Sequence, residues 1–136
     1  EVSPDGRWAL YVLSTQPKRA EVRVVEIATG DIADWQIRLS VESQSPNVTY
    51  GRGRWFDEGR AIAFVGLDES GKIGIYAQDF VPGEDTTATR RPLAGFYDNL
   101  NTESFGVSPD GTAIVLAVIQ ETRTLMLAEG LEDSGN

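Results

Sequence analysis

Short apolar segments separated by turn residues dominate the chain, and they follow two different patterns. Trp8–Leu13, Ala61–Val65 and Ala113–Ile119 are continuously apolar, which predicts strands covered on both faces. Glu21–Ile27 and Asp34–Leu39 alternate between apolar and polar residues instead, as strands with one exposed face do. No longer stretch keeps the 3.6-residue period of a helix. The pattern therefore predicts an all-β protein.

A tight turn precedes each of the continuously apolar segments. Two copies of it are Ser3-Pro4-Asp5-Gly6 and Ser108-Pro109-Asp110-Gly111, and a looser copy ends at Gly59. Serine at the first position can bond to the backbone, proline has a preset φ at the second, and glycine tolerates the fourth. Gly59 follows Gly6 by 53 residues, and Gly111 follows Gly59 by 52. Self-similarity at this period indicates a repeat protein.

Four antiparallel strands per repeat of about 40 to 50 residues are typical of a β-propeller blade. The pattern places blade one at about 1–40, blade two at about 48–93, blade three at about 102–131 and a polar tail at 132–136. Propellers close with ~4 to 8 blades, so the segment requires further blades of a longer chain or a second copy in a homodimer. A β-sandwich is the alternative, although it does not predict the repeated turn.

The composition narrows the possible functions. The 136 residues include neither histidine nor cysteine, which removes the commonest general base, the usual partner of a serine nucleophile and any thiolate. We therefore expect no catalysis within this chain and no cofactor. The formal net charge of −9 argues against a nucleic-acid partner and against contact with an anionic membrane surface.

Two groups of side chains are candidates for binding. Tyr50, Arg52 and Arg54 share one face of the predicted first strand of blade two, which would line the channel of a propeller. The two guanidinium groups could bind a small anionic ligand or pair with acidic residues of the chain itself. Phe96 and Tyr97, on the longest connector, could bind a protein or peptide partner or fill the gap between two blades.

A metal site is the weaker expectation. Asp98, Asn99 and Asn101 bring oxygen ligands together in a short span, but an ordinary polar loop is favoured. Asp5 and Asp110 supply one carboxylate per repeated turn, which is too few for a calcium loop. We therefore expect the turn residues to have a structural role.

The repeated phrase resembles the TolB-like β-propeller repeats, in which an SPDG-like turn leads to an apolar strand, a hairpin and an aliphatic strand ending near a TG or DG turn. Ser3–Val12 with Val22–Asp31 and Ser108–Val118 match this pattern well, and Phe56–Val65 matches it loosely. The phrases RPLAGF, TESFGVSPDG and LMLAEG are also similar to the C-terminal end of sensor propellers on bacterial receptor-type serine/threonine kinases.

This resemblance implies a non-catalytic binding module in an extracytoplasmic sensor propeller, in the periplasm or at the cell surface. It also implies a kinase domain and a tethering membrane helix upstream. Related repeats form the substrate-gating propellers of prolyl-oligopeptidase-like hydrolases and free-standing periplasmic scaffolds. Both stay open as alternatives, the scaffold with a ring closed by homodimerisation.

Overall fold

The computed structural model describes residues 1–16, 19–40, 52–70, 72–98, 101–108 and 111–120. In these ranges the chain is all-β with antiparallel sheets, which confirms the predicted fold class. The strands are β1 (Trp8–Gln16), β2 (Arg19–Glu26), β3 (Ile32–Ser40), β4 (Gly53–Phe56), β5 (Ala61–Leu67), β6 (Ile73–Asp79), β7 (Arg91–Gly95), β8 (Asn101–Val107) and β9 (Ile114–Ile119). The helical residues of the described ranges form two short 3-10 turns, Asp57–Gly59 and Thr87–Thr89, neither of which could cross a lipid bilayer.

Each sheet is a meander of strands that follow one another in the sequence. The first sheet is β1-β2-β3, the second is β4-β5-β6-β7, and the third is β8-β9. Glu1 and Val2 extend the first sheet, because Val2 bridges Ala9 and the Leu10 N–H donates to the Glu1 carbonyl at 2.7 Å. Several predicted features lie outside the described residues. They are the blade boundaries at 48 and 131, the tail at 132–136 and the first residues of the predicted first strand of blade two.

The second sheet is the middle layer of the molecule. Every residue from Ala61 to Val65 in β5 is 0% exposed. Ile62 and Phe64 pack against the first sheet, and Ala63 and Val65 pack against the third. The prediction that β5 is covered on both faces is therefore confirmed.

The same prediction is wrong for β1 and β9, which belong to the two outer sheets. Leu13 in β1 is 41% exposed and Val115 in β9 is 73% exposed. In β9 the side chains of Ile114 and Leu116 pack against the second sheet, while Val115 lies on the opposite face. A continuously apolar strand is covered on both faces only where its sheet has a neighbour on each side.

One aromatic side chain joins the first two sheets. Phe80 directly follows β6 and is 8% exposed. Its ring meets those of Trp8, Trp35 and Trp55 edge to face, at centroid distances of 5.4, 5.2 and 5.2 Å. These are all the tryptophans of the chain, and edge-to-face pairs stabilise a core beyond the area that they bury.

We expect Phe80→Ala to lower the free energy of unfolding by about 3–5 kcal/mol, since it opens a cavity at the contact between two sheets. Guanidinium denaturation followed by tryptophan fluorescence measures this change. The control is Tyr97→Ala, at an aromatic residue that is 47% exposed, which should cost less than about 0.5 kcal/mol. Equal losses in the two variants would contradict the central role of Phe80.

Candidate functional site

The first and third repeated turns have the same hydrogen bonds. Gly6 N–H donates to the Ser3 carbonyl at 2.9 Å, and Gly111 N–H donates to the Ser108 carbonyl at 2.8 Å. In both turns the serine Oγ also accepts from the backbone N–H five residues later, at 2.9 Å. Gly6 and Gly111 have φ angles of 73° and 70°, which favour glycine. Ser3 and Gly6 of the first turn, and Ser108 and Gly111 of the third, therefore have structural roles. Pro109 and Asp110 lie outside the described residues.

Asp5 stabilises the first turn through its carboxylate. The Ser3 hydroxyl and the Arg7 backbone N–H both donate to Asp5 Oδ1, the latter at 3.0 Å. The hydrogen bond from Ser3, followed by that from Arg7, lowers the pKa of Asp5. The role that we assign to Asp5 is structural, because its carboxylate accepts the hydrogen bonds that close the turn.

The middle turn has the same position but a different conformation. Gly59 has a φ of 88°, and Asp57 and Glu58 also have left-handed φ angles of 52° and 54°. Arg60 N–H donates to the Asp57 carbonyl at 3.0 Å, and its guanidinium donates to the Asp57 carboxylate at 2.6 Å. Without the serine and proline of the other copies, the chain makes a 3-10 turn closed by this ion pair.

The glycine of each later turn lies against the preceding turn. A Cβ built on Gly59 would be 3.3 Å from Pro4 Cδ. A Cβ built on Gly111 would be 3.8 Å from Phe56 Cε2 and 3.9 Å from the Asp57 nitrogen. The three turns therefore lie side by side, and a cavity of about 190 Å³ lies between them.

Both arginines of the predicted binding group lie within the described residues. Tyr50 lies outside the described residues, and Arg52 is exposed. Arg54 lies on the opposite face of β4 from the buried Gly53, as the alternation predicted. Its Nη1 donates to the Gly53 carbonyl at 3.0 Å and is 3.8 Å from Glu1 Oε2. Arg54 is thus paired with an acidic residue of this chain.

The two aromatic residues of the long connector have different environments. Phe96 packs its ring over Gly74, where a Cβ would be 2.5 Å from the ring, and meets Tyr76 edge to face at 5.1 Å. Phe96 therefore covers the second sheet. Tyr97 is 47% exposed and is the member of the pair that a partner could reach.

The carboxylate of the candidate metal site already has a cationic partner. Lys72 Nζ lies 2.5 Å from Asp98 Oδ1, and this contact with Asp98 raises the pKa of Lys72. Asn99 lies outside the described residues, and Asn101 begins β8.

A cleft of about 420 Å³, which the sequence did not predict, lies between β3 and the loop that follows β6. Its walls carry charged and polar side chains, including Asp34, Gln36 and Arg38 from β3 and Glu84, Asp85 and Arg90 from the loop. Ligand sites commonly have volumes of about 300–1,000 Å³ and occur between structural units. We name this feature the β3 cleft.

A buried hydroxyl connects the two walls of the β3 cleft. Thr86 Oγ1 accepts from Trp35 Nε1 at 2.8 Å and from Gln78 Nε2 at 3.2 Å, and donates to the Asp79 carbonyl. A hydroxyl has one donor and two acceptor sites, so all of its hydrogen-bonding capacity is used. The network holds the loop against β3, although Thr86 follows Trp35 by 51 residues in the sequence.

Arg90 is held in the β3 cleft by neutral groups. Its Nε and Nη2 donate to Gln78 Oε1 at 3.2 and 2.9 Å, and its guanidinium carbon is 5.0 Å from the centre of the Phe64 ring. Partial burial lowers the pKa of Arg90. Among the described residues, no carboxylate lies within 4.0 Å of it. The signal that could have revealed this site is Gln78, an amide that directly follows the mostly apolar segment Ile73–Ala77, because a buried amide requires partners.

No protein-family model matches the chain, and no curated protein sequence is significantly similar to it.

Ser3→Ala removes the hydroxyl that lowers the pKa of Asp5. We expect that pKa to rise toward the usual value of 3.8, as measured by carboxyl NMR titration. A carboxyl group whose pKa is lowered by folding stabilises the fold at pH values above its pKa in the unfolded state. This contribution is lost as the pH falls through the pKa of the folded state. Stability of the variant should therefore depend less on pH below about 4.

The control is Ser70→Ala, because Ser70 is the main cause of the lowered pKa of Asp68. This variant should raise the pKa of Asp68 and leave that of Asp5 unchanged. A pKa of Asp5 at or above 3.8 in the unmodified chain would contradict the assignment.

Thr86→Val keeps the shape of the side chain but removes the hydroxyl that connects the walls of the β3 cleft. We expect a loss of about 1–3 kcal/mol of unfolding free energy, since buried donors lose their acceptor, and a shift of the Trp35 indole N–H resonance. Thr87→Val, at the exposed neighbouring threonine, is the matched control. If both variants lose the same stability and leave the indole resonance in place, the network does not connect the walls.

Proposed function

We propose that the chain is a three-blade segment of a β-propeller that acts by binding other molecules rather than by catalysis. The repeated contact between turns carries this proposal. Gly59 lies against the first turn and Gly111 lies against the second, so each later turn contacts the turn before it. Antiparallel meanders that stack in chain order, with the same turn in contact each time, fit the arrangement of propeller blades. A two-sheet sandwich fits less well, because it has no middle sheet covered on both faces.

The outer faces of the segment support its closure by further blades. Val115 on the third sheet is 73% exposed and Ile32 on the first is 62% exposed. In a propeller each of these faces would pack against another blade, from a longer chain or from a second copy. Two copies with three blades each would make a ring of six.

The context that we propose is an extracytoplasmic sensor propeller of a bacterial receptor-type kinase, with a protein, a peptide or a small anionic ligand as its partner. The resemblance of Arg91–Phe96 and of the segment from Thr102 onward to such propellers supports it. The coding sequence upstream tests this context. A kinase domain followed by an apolar helix is expected, whereas an α/β-hydrolase serine motif would favour the gating propeller of a peptidase.

Light scattering over a concentration series tests the exposed faces. We expect the average mass of the 136-residue chain to rise toward that of a dimer. Val115→Glu should weaken the association by at least about tenfold, since it places a charge in an apolar contact. Gln120→Glu, an exposed position next to β9, adds the same charge and should have little effect.

A chain that stays monomeric at every concentration and unfolds cooperatively would contradict the proposal that further blades must cover the outer faces. The β-sandwich would then be the better description of the fold.

A further inference from the structure

Some hydrogen-bond donors of Arg90 have no partner among the described residues. A guanidinium group carries five N–H donors, and two of them are directed at Gln78 Oε1. For the other three, no partner is found among the described residues. The guanidinium is also held over the face of Phe64, so its orientation is fixed before any ligand arrives, which lowers the entropic cost of binding.

The charge of Arg90 is not neutralised, in contrast to that of its neighbour. Arg91 Nη1 is 2.8 Å from Asp79 Oδ1, whereas no described carboxylate lies within 4.0 Å of Arg90. Removing a cation from water without a counter-ion is costly. A bound carboxylate would remove that cost and could accept two parallel N–H bonds.

The same cleft also carries carboxylates that are not neutralised. In the described part of the chain, Asp34 and Glu84 line the cleft without an ion pair, and both are exposed. Asp85 differs, since it accepts hydrogen bonds from Thr87 that lower its pKa. Arg38 adds a positive charge to the rim, but its guanidinium lies 4.0 Å from Glu21 on β2.

Gln36 lies on the β3 wall of the cleft. Its Oε1 is buried and, within the described ranges, has no hydrogen-bond partner, so a ligand in the cleft does not reach this atom. Among the described residues, the lining groups that carry a charge without an ion pair include the cationic Arg90 and the anionic Asp34 and Glu84. A ligand that pairs with both kinds must carry an anionic group and a cationic group together.

We propose that the β3 cleft binds a small zwitterion, a free α-amino acid or a dipeptide. The carboxylate of the ligand pairs with Arg90, and its ammonium group lies toward Asp34 and Glu84. The volume of about 420 Å³ suits a ligand of this size. The residues that line the site belong to β3 and to the loop that follows β6.

The test is NMR titration of the full chain with glycylglycine, observing the Trp35 indole N–H and the Arg90 Nε–H. We expect saturable shifts with a dissociation constant on the order of 1 mM, as for other ligands of this size. Acetate, inorganic phosphate and glycinamide each carry only one of the two charges and should bind at least about tenfold more weakly.

Arg90→Gln should weaken binding of glycylglycine by at least about tenfold, and Arg90→Lys should recover only part of it because lysine lacks the planar fork. Arg91→Gln makes the same charge change one residue away and should leave binding unchanged. The backbone amide spectrum of each variant verifies that it is folded.

Three results would overturn the proposal. They are no saturable shift with glycylglycine, equal binding by the chain and the folded Arg90→Gln variant, and acetate or phosphate binding as tightly as the zwitterion. The last result would leave a site for simple anions. None of these results bears on the mass measured by light scattering, so the failure of this site is distinguishable from the failure of the propeller assignment.

Discussion

The packing of Phe80 among three tryptophans is the interaction on which the other features depend. Trp8 and Trp35 belong to the first sheet and Trp55 to the second, so a single ring fixes the distance between the two layers. The contact also positions polar groups, because Trp35 Nε1 reaches the Asp79 carbonyl and Thr86 Oγ1, at 3.0 and 2.8 Å. The β3 cleft is thus built directly on the core, and its geometry follows from how the two sheets pack.

The two faces of the middle sheet differ in chemistry. The face toward the third sheet is aliphatic and includes Val65, Ile73 and Ile75, all almost fully buried. The face toward the first sheet carries the aromatic cluster and also Gln78, which is 0% exposed. Burying a polar amide is favourable only if it is hydrogen-bonded, and here Gln78 binds both Thr86 and Arg90. Two of the buried polar side chains of the described residues, Gln78 and Thr86, therefore lie at the contact with the first sheet.

The features that the sequence predicted correctly are local ones. Serine and glycine set the hydrogen bonds of the repeated turns within six residues, and the alternation in β3 correctly placed Trp35 inside and Arg38 outside. The β3 cleft depends instead on pairs far apart in the chain, such as Trp35 with Thr86, 51 residues away. Likewise, the apolar run of β9 has the composition of a buried strand, but its exposure depends on whether another sheet is present. Periodicity along one strand carries no information about such neighbours.

The identity of residue 78 determines what Arg90 can do. The chain has a net charge of −9, so an arginine without a carboxylate partner is unexpected on electrostatic grounds alone. A glutamate at position 78 would accept the same two hydrogen bonds but would cancel the positive charge. Gln78 holds the guanidinium through its amide oxygen and leaves the charge in place. The neutral Gln78 therefore orients the guanidinium of Arg90 and leaves it able to attract an anion. The carboxylate of Asp79 also orients Arg91 but neutralises its charge.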